Sequence, residues 1–362
     1  MWGSNDSSQF INNTNNTFDN YSFQCNGPYP STRVQLFAYF FILVSSLAGN
    51  VLIISIFFRD KTLRTSVNYF IVNMCVSDLM FPIINIPIWI TLEYDVDDKW
   101  LYVNKTFPTL LCKAALIALN VSVLVSVFSM TALAADRYRA IIFPMKPALF
   151  SKKKCCVAIA AIWLSSIPFL AYYATASLTS KNASDFVSCL NRGWIAETFQ
   201  FNFWIFFTLV CSSGIALTIF YLKLSVFLFR QKNSLHLASE VVKKRAKRNR
   251  KIITMLIIIV ILFYVVWIPF FVMMIFYYKR LPCVYVWLAY SILPILNPVV
   301  NPVVYFVFNK KYCQGFVKIL SCLWLFVTKN NNQLNKFSRH YQGNCVHNAS
   351  KPNQVLDNVK IH

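Results

Sequence analysis

Apolar residues in this chain come in long blocks and do not alternate with polar ones. Seven blocks, at approximately 36–58, 67–91, 109–142, 157–176, 199–229, 252–278 and 284–308, each match or exceed the roughly 20 residues of helix that cross a hydrocarbon layer about 30 Å thick. A helix at the surface of a soluble protein keeps a polar stripe toward water, and nearly every block lacks one, which argues against a soluble bundle of buried helices. The pattern predicts an all-α membrane protein built as a seven-transmembrane helix bundle over 36–308. The polar start, residues 1–35, lacks the basic and apolar regions of a cleaved signal, so the first span is expected to serve as its own insertion signal. After the seventh block, Tyr312, Phe316, Ile319, Leu320 and Leu323 recur at helical spacing, predicting a short amphipathic eighth helix over 309–326 that lies on the membrane surface. The polar remainder, 327–362, reads as a disordered tail.

Composition agrees with that class. The 362 residues are 57% hydrophobic and only 13% charged, where an ordinary soluble chain carries about 25% charged residues. With seven spans the termini lie on opposite sides, and most of the 35 Lys and Arg residues fall on the side of the C-terminus. Positive loops stay cytoplasmic, which predicts a multi-pass protein with its N-terminus outside. The net charge of +22 is therefore topological, and nucleic acid is not an expected partner. The run "KKRAKRNRK" at 243–251 abuts the sixth block and reads as an attraction for anionic membrane lipid. Asn5, Asn12, Asn15, Asn20, Asn104 and Asn182 each head an Asn-x-Ser/Thr triplet in a segment predicted to be outside, as glycosylation requires. Similar triplets at Asn120, within a span, and Asn348, in the tail, show that the pattern also occurs idly. No His lies in any block, and no Cys/His metal spacing or nucleophile motif is found, so an enzyme is not expected. A transporter would show symmetry between its halves, and a channel polar rings; neither is visible.

Two acids lie within blocks, Asp78 and Asp136, and charge sunk in a span is expensive and usually functional. Their surroundings complete a series of landmarks: Gly49-Asn50 in the first span; "VSDLM" around Asp78 in the second; Cys112 opening the third and Asp136-Arg137-Tyr138 closing it; Trp163 in the fourth; Tyr221 in the fifth; "FYVVWIP" with Phe263, Trp267 and Pro269 in the sixth; and "NPVVY" with Asn301, Pro302 and Tyr305 in the seventh. With these landmarks in this order, the chain resembles a rhodopsin-like (class A) G-protein-coupled receptor, most closely the neuropeptide-receptor group. The resemblance implies a plasma-membrane receptor that binds an extracellular ligand and opens its cytoplasmic face to a heterotrimeric G protein, with arrestin as a further partner. It implies a sodium ion and polar network at Asp78, Ser126, Asn297 and Asn301, against the plainer reading of a packing network without an ion; no other metal or cofactor is expected. Asp136, Arg137, Tyr138, Tyr221, Phe263, Trp267, Pro269, Pro302 and Tyr305 are the implied activation switches, and Arg137, Pro144 and Met145 the implied G-protein contacts. Two positions depart from the family pattern: Asn249 stands where many members carry an acid that clamps the arginine, and Ser213 replaces a proline of the fifth helix, leaving Val127, Ser213 and Phe263 as the transmission cluster. The missing clamp leads us to expect raised signalling without ligand.

The same resemblance pairs Cys112 with Cys189. Cys25 and Cys283 then remain outside as a second pair, although spacing alone does not fix connectivity. Cys322 is either a palmitoylation site or a free thiol, while Cys75, Cys155, Cys156 and Cys211 read as unpaired. Leu119 occupies the place of the amine receptors' aspartate, and Ile295 that of the opsins' lysine, so biogenic amines and retinal are disfavoured as ligands. The expected pocket is edged by Leu119, Asn120, Val123, Trp267, Phe270, Phe271, Met274, Trp287 and Ser291, mostly apolar and suited to a lipid or to the buried end of a peptide. Glu93, Asp95, Asp97 and Asp98, four of the thirteen acids, crowd the first outer loop and would steer a cation inward. A basic, amidated neuropeptide is the leading expectation; a lipid ligand, and a merely solvated loop, are the alternatives.

Overall fold

Inside a hydrocarbon layer every peptide group must find its partner within the protein, and a helix achieves this along a single segment. The computed structural model describes residues 27–93, 106–143, 145–146, 149–168, 197–234, 239–276 and 281–328. In it the blocks form α1 (Thr32–Arg59), α2 (Ser66–Glu93), α3 (Thr106–Ile142), α4 (Lys152–Leu164), α5 (Glu197–Ser234), α6 (Glu240–Phe276) and α7 (Cys283–Phe308). All but α4, whose described helix has 13 residues, are long and apolar enough to cross a membrane. Asn309 has an extended backbone that ends α7, and α8 (Lys310–Thr328) starts at the next residue. Several helices outrun their blocks where polar residues can meet water. In particular α6 begins at Glu240, so the basic run 243–251 is helical and extends α6 by about 18 Å at 1.5 Å per residue.

The helices α1, α2, α3, α5, α6 and α7 follow one another around the bundle and α7 closes on α1, while α4 packs on α2 and α3. The centre belongs to α3: 72% of its most apolar stretch is buried, against 33% for α1 and for α5. Outward-facing positions on α1 are large and apolar, among them Phe37, Phe41, Val44, Val51 and Phe58, as a lipid-facing surface requires. Polar groups fasten what apolar contact alone would leave free to slide. Trp163 Nε1 of α4 donates to Asn73 Oδ1 of α2 at 2.8 Å, and Asn73 Nδ2 donates to Ser129 Oγ of α3 at 2.9 Å. Below the bundle α8 turns Tyr312 and Val317 inward, and Phe316 packs on Phe306 with ring centres 5.1 Å apart. At Gly315 an added Cβ would stand 2.5 Å from Ile56 Cγ2, so glycine is what brings α8 hard against α1.

α7 is the least regular helix. From Leu288 to Ile292 it is a π-helix, with the Leu293 amide donating to the Leu288 carbonyl five residues back. Pro294, Pro298 and Pro302 follow, each without the amide proton that would pair with a carbonyl four residues earlier. Such widened turns occur mostly at functional places in helices.

Candidate functional site

The defect made by Pro302 falls at the Pro298 carbonyl. Asn50 of α1 repairs it, its Nδ2 donating to that oxygen at 2.8 Å and to the Ser46 carbonyl at 2.9 Å. The approach is possible because the preceding residue is Gly49, where a Cβ would lie 2.8 Å from Pro302 Cβ. The proline break and the two residues that recognise it are thus one joint between α1 and α7. An unpaired buried carbonyl would cost about 1–3 kcal/mol.

Beside this joint lies Asp78, completely buried on α2. Ser126 Oγ of α3 donates to its Oδ1 at 3.1 Å and Asn301 Nδ2 of α7 to its Oδ2 at 2.8 Å. Ser77 Oγ sits 3.3 Å from Ser126 Oγ, adding a hydroxyl that the sequence reading did not single out. Asn297 is buried one turn before Asn301 but makes no direct bond to Asp78. All the groups gathered here are oxygens or amides, with one carboxyl; among the described residues no cluster of His, Cys, Asp or Glu has the make-up of a transition-metal site. Asn50 Oδ1 is buried without a protein partner.

Near the opposite end of α3, Arg137 pairs with Asp136, which is 1% exposed. Ser66, at the first position of α2, ties the pair down: its hydroxyl donates to Asp136 Oδ2 at 2.8 Å, and Arg137 Nη2 donates to the same hydroxyl at 3.1 Å. A serine opening a helix reads in sequence as a cap, so this role had no sequence signal. Tyr221 and Tyr305 are buried, and the Tyr305 hydroxyl has no hydrogen-bond partner. Asn249 is half-buried on α6, and among the described residues the only ion-pair partner of Arg137 is Asp136. Tyr138 stacks against Phe220 of α5, centres 5.5 Å apart. Met145 is almost fully exposed.

Toward the other end of the bundle the aromatic residues form two groups. Trp267, two residues before Pro269, lies on Phe263, Phe270 and Phe271 with ring centres 6.1, 5.5 and 6.0 Å away. Phe271 continues the group into α5 through Phe203, Phe206 and Phe207. In the second group Trp287 Nε1 donates to the Tyr39 hydroxyl at 3.1 Å, and Tyr39 leans on Trp89 at 5.7 Å. Leu119 packs against both groups, Val123 is buried beside the first, and Asn120 turns its Nδ2 back to the Leu116 carbonyl at 2.8 Å. Ser291 is half-buried within the π-helical turn. Tyr39 and Trp89 belong to this region and escaped the sequence reading, because an aromatic residue in an apolar block carries no label of its own. The Trp267 Nε1 is buried without a partner. In the altered transmission cluster, Val127, Ser213 and Phe263 are all buried, and Tyr264 sets its hydroxyl 2.5 Å from where a Cβ on Gly214 would be.

Several expected sites fall outside the described residues: Asn5, Asn12, Asn15, Asn20, Asn104 and Asn182, the acids Asp95, Asp97 and Asp98, Pro144, Cys25, Cys189, and the tail 329–362. For Glu93, Cys112, Met274 and Cys322 the backbone alone is described, in each case helical. Cys283 is disulfide-bonded, and so, separately, is Cys313 of α8, a residue the sequence did not single out. Cys75, Cys155, Cys156 and Cys211 are free thiols.

A family model described as 7 transmembrane receptor (rhodopsin family) matches residues 49–305. Among curated proteins the chain is 30% identical over 183 residues to a QRFP-like peptide receptor of Branchiostoma floridae, covering 48% of this chain and 45% of that one. It is 32% identical over 164 residues to neuropeptide FF receptor 2 of Rattus norvegicus, covering 45% and 37%. To neuropeptide FF receptor 1 of Homo sapiens it is 31% identical over 182 residues, covering 50% and 40%. The matched part thus spans less than half the length of these relatives.

Proposed function

Since the chain belongs to the rhodopsin family of seven-transmembrane receptors, we propose that it is a plasma-membrane receptor that binds an extracellular neuropeptide and activates a heterotrimeric G protein from its cytoplasmic face. One observation carries this reading. Arg137 is held by Asp136 and Ser66, while the hydroxyl of Tyr305 is buried with no partner. On this reading Arg137 would leave its pair and turn toward Tyr221 and Tyr305 in a second state, uncovering a cleft between α3, α5, α6 and α7 for a G-protein helix, with Pro144 and Met145 as further contacts. Pro269 supplies the kink about which α6 swings, and Trp267, two residues before it, transmits ligand contact from the pocket. Driving such an equilibrium from one side to the other takes a ligand that prefers the open state by about 5.5 kcal/mol. The N-terminus is taken as outside and the C-terminus inside, from the distribution of Lys and Arg.

A peptide ligand is favoured by the names of the relatives and by the two aromatic groups that stand where the pocket is expected. Glu93, Asp95, Asp97 and Asp98 would draw a basic, amidated peptide toward it. A sodium ion is compatible with the Asp78 carboxylate and the Ser126 hydroxyl, with the side-chain oxygens of Asn297 and Asn301 as further ligands, and would hold the closed state. The test is a screen of amidated peptides on cells expressing the full chain and a promiscuous Gα. A single basic peptide that releases calcium, with potency lowered when Asp95, Asp97 and Asp98 are replaced by Asn, supports the reading. Agonism by a lipid that survives those replacements and fails on enlarging Leu119 or Ser291 would replace the peptide with a lipid ligand.

A further inference from the structure

The chain leaving α3 is fastened to itself twice. Phe143, the first residue after the helix, donates its amide to the Arg139 carbonyl at 3.0 Å. Its own carbonyl accepts from the Lys146 amide, also at 3.0 Å, closing a turn that contains Met145. The side chains at the two ends of that turn meet as well. The Lys146 ammonium stands over the Phe143 ring, 4.9 Å from its centre, within the roughly 6 Å over which a cation is drawn to an aromatic face. Among the described residues no acid pairs with Lys146, so the ring is the partner its charge has there.

Phe143 is held from behind. Its ring meets that of Tyr138 edge to face at 6.3 Å, and Tyr138 leans on Phe220 of α5 at 5.5 Å. Three rings capped by one ammonium therefore run from α5 across the end of α3 to the turn. Aromatic pairs in such geometries attract beyond the area they bury, and here they act together on one short stretch of backbone.

What this stretch carries is Met145, 96% exposed. A lone apolar side chain on a surface is ordinary. This one differs in that its base is fixed by a backbone bond and a cation–ring contact, while its unbranched thioether stays free to adapt to an apolar recess. We propose that Lys146 and Phe143 are positioning residues, clamping the turn so that Met145 is held out as an apolar knob for the G protein. The docking role rests on the coupling function proposed above; the clamp does not.

Spin labelling of the full chain in nanodiscs tests the clamp. A nitroxide is attached at Met145→Cys in a Cys156→Ser background, since Cys156 is an exposed thiol, and the signal of the same protein with Met145 intact is subtracted. The label is expected to be restricted in the parent, to become mobile in Lys146→Gln and in Phe143→Leu, and to stay restricted in Lys146→Arg, which keeps a cation that stacks on rings. Equal mobility in the parent and Lys146→Gln overturns the clamp, and so does equal mobility in Lys146→Arg and Lys146→Gln. Docking is read with Met145 in place, by titrating a purified heterotrimer with a promiscuous Gα, freed of nucleotide, onto the nanodiscs. Half-saturation is expected to need about three times more heterotrimer in Lys146→Gln, as the loss of one exposed cation–ring contact implies, and no more in Lys146→Arg. Binding unchanged in Lys146→Gln while its label is mobile overturns the docking role. No binding by the parent overturns the coupling function and the docking role with it, and the line shapes then decide the clamp by themselves.

Discussion

Gly49 has no side chain, and the space a methyl would take is filled by Pro302 at 2.8 Å. Replacing it with Val must push α1 off α7, and overpacking of this kind costs about 1–3 kcal/mol; the expected outcome is a lower Tm of the purified receptor. Asn50→Ala should fall in the same range, because it leaves the Pro298 carbonyl buried and unpaired. If either variant melts with the parent, the joint is not what aligns the two helices. A sharper question belongs to Asp78. Exchanging sodium for N-methylglucamine should lower the Tm of the parent and leave Asp78→Asn unmoved, since the carboxyl is the one group of full charge in that cluster. Equal sensitivity in both would reduce the cluster to a packing network. At Asn249 an introduced Glu would give Arg137 a second acid to hold it closed; an added ion pair of about 1.4 kcal/mol would cut ligand-free signalling about tenfold. Basal output in the parent no higher than in untransfected cells, at matched surface expression, would remove the premise of that prediction.

Among the helices, regularity and irregularity have different sources. Apolar blocks become helices because the alternative is unpaired backbone in hydrocarbon, and no tertiary contact is needed to know it. The breaks in α7 behave otherwise. Proline announces where a hydrogen bond is lost but not which neighbour replaces it, and the π-helical turn at Leu288–Ile292 has no sequence sign beyond the Pro294 that follows it. Between α4 and its neighbours the bond from Trp163 to Asn73 is the fastening, so Trp163→Phe should cost about 1 kcal/mol, visible as a small fall in Tm without loss of surface expression. An unchanged Tm would assign the packing there to shape alone. On α5, Ser213 replaces the expected proline and leaves the helix unbroken, while close approach to α6 is provided next door by Gly214 and Tyr264. A landmark was absent at the expected position, and its neighbour carries the contact.

Among the described residues many of the polar groups sunk in the bundle lie on α1, α2, α3 and α7, and large apolar side chains such as Phe37, Val51 and Ile261 face outward. The count of spans, their order and the family were legible in the sequence, because length and hydropathy settle whether a helix crosses a membrane and because Asp78, Arg137, Trp267 and Tyr305 stand in motifs. Which partners those residues take was not legible. Asn50 reaches Pro298 across 248 positions of sequence and Asn301 reaches Asp78 across 223, while Ser66 closes on Arg137 from 71 residues away. Such bonds depend on the depth and rotation of one helix against another, which are set by close packing at positions such as Gly49 and Gly315 and not by the residues that do the bonding. The chain's own chemistry therefore determined that seven apolar segments would become membrane helices carrying a few costly polar side chains. Only their packing together decided which of those side chains pair and which, like the Tyr305 hydroxyl, stay without a partner.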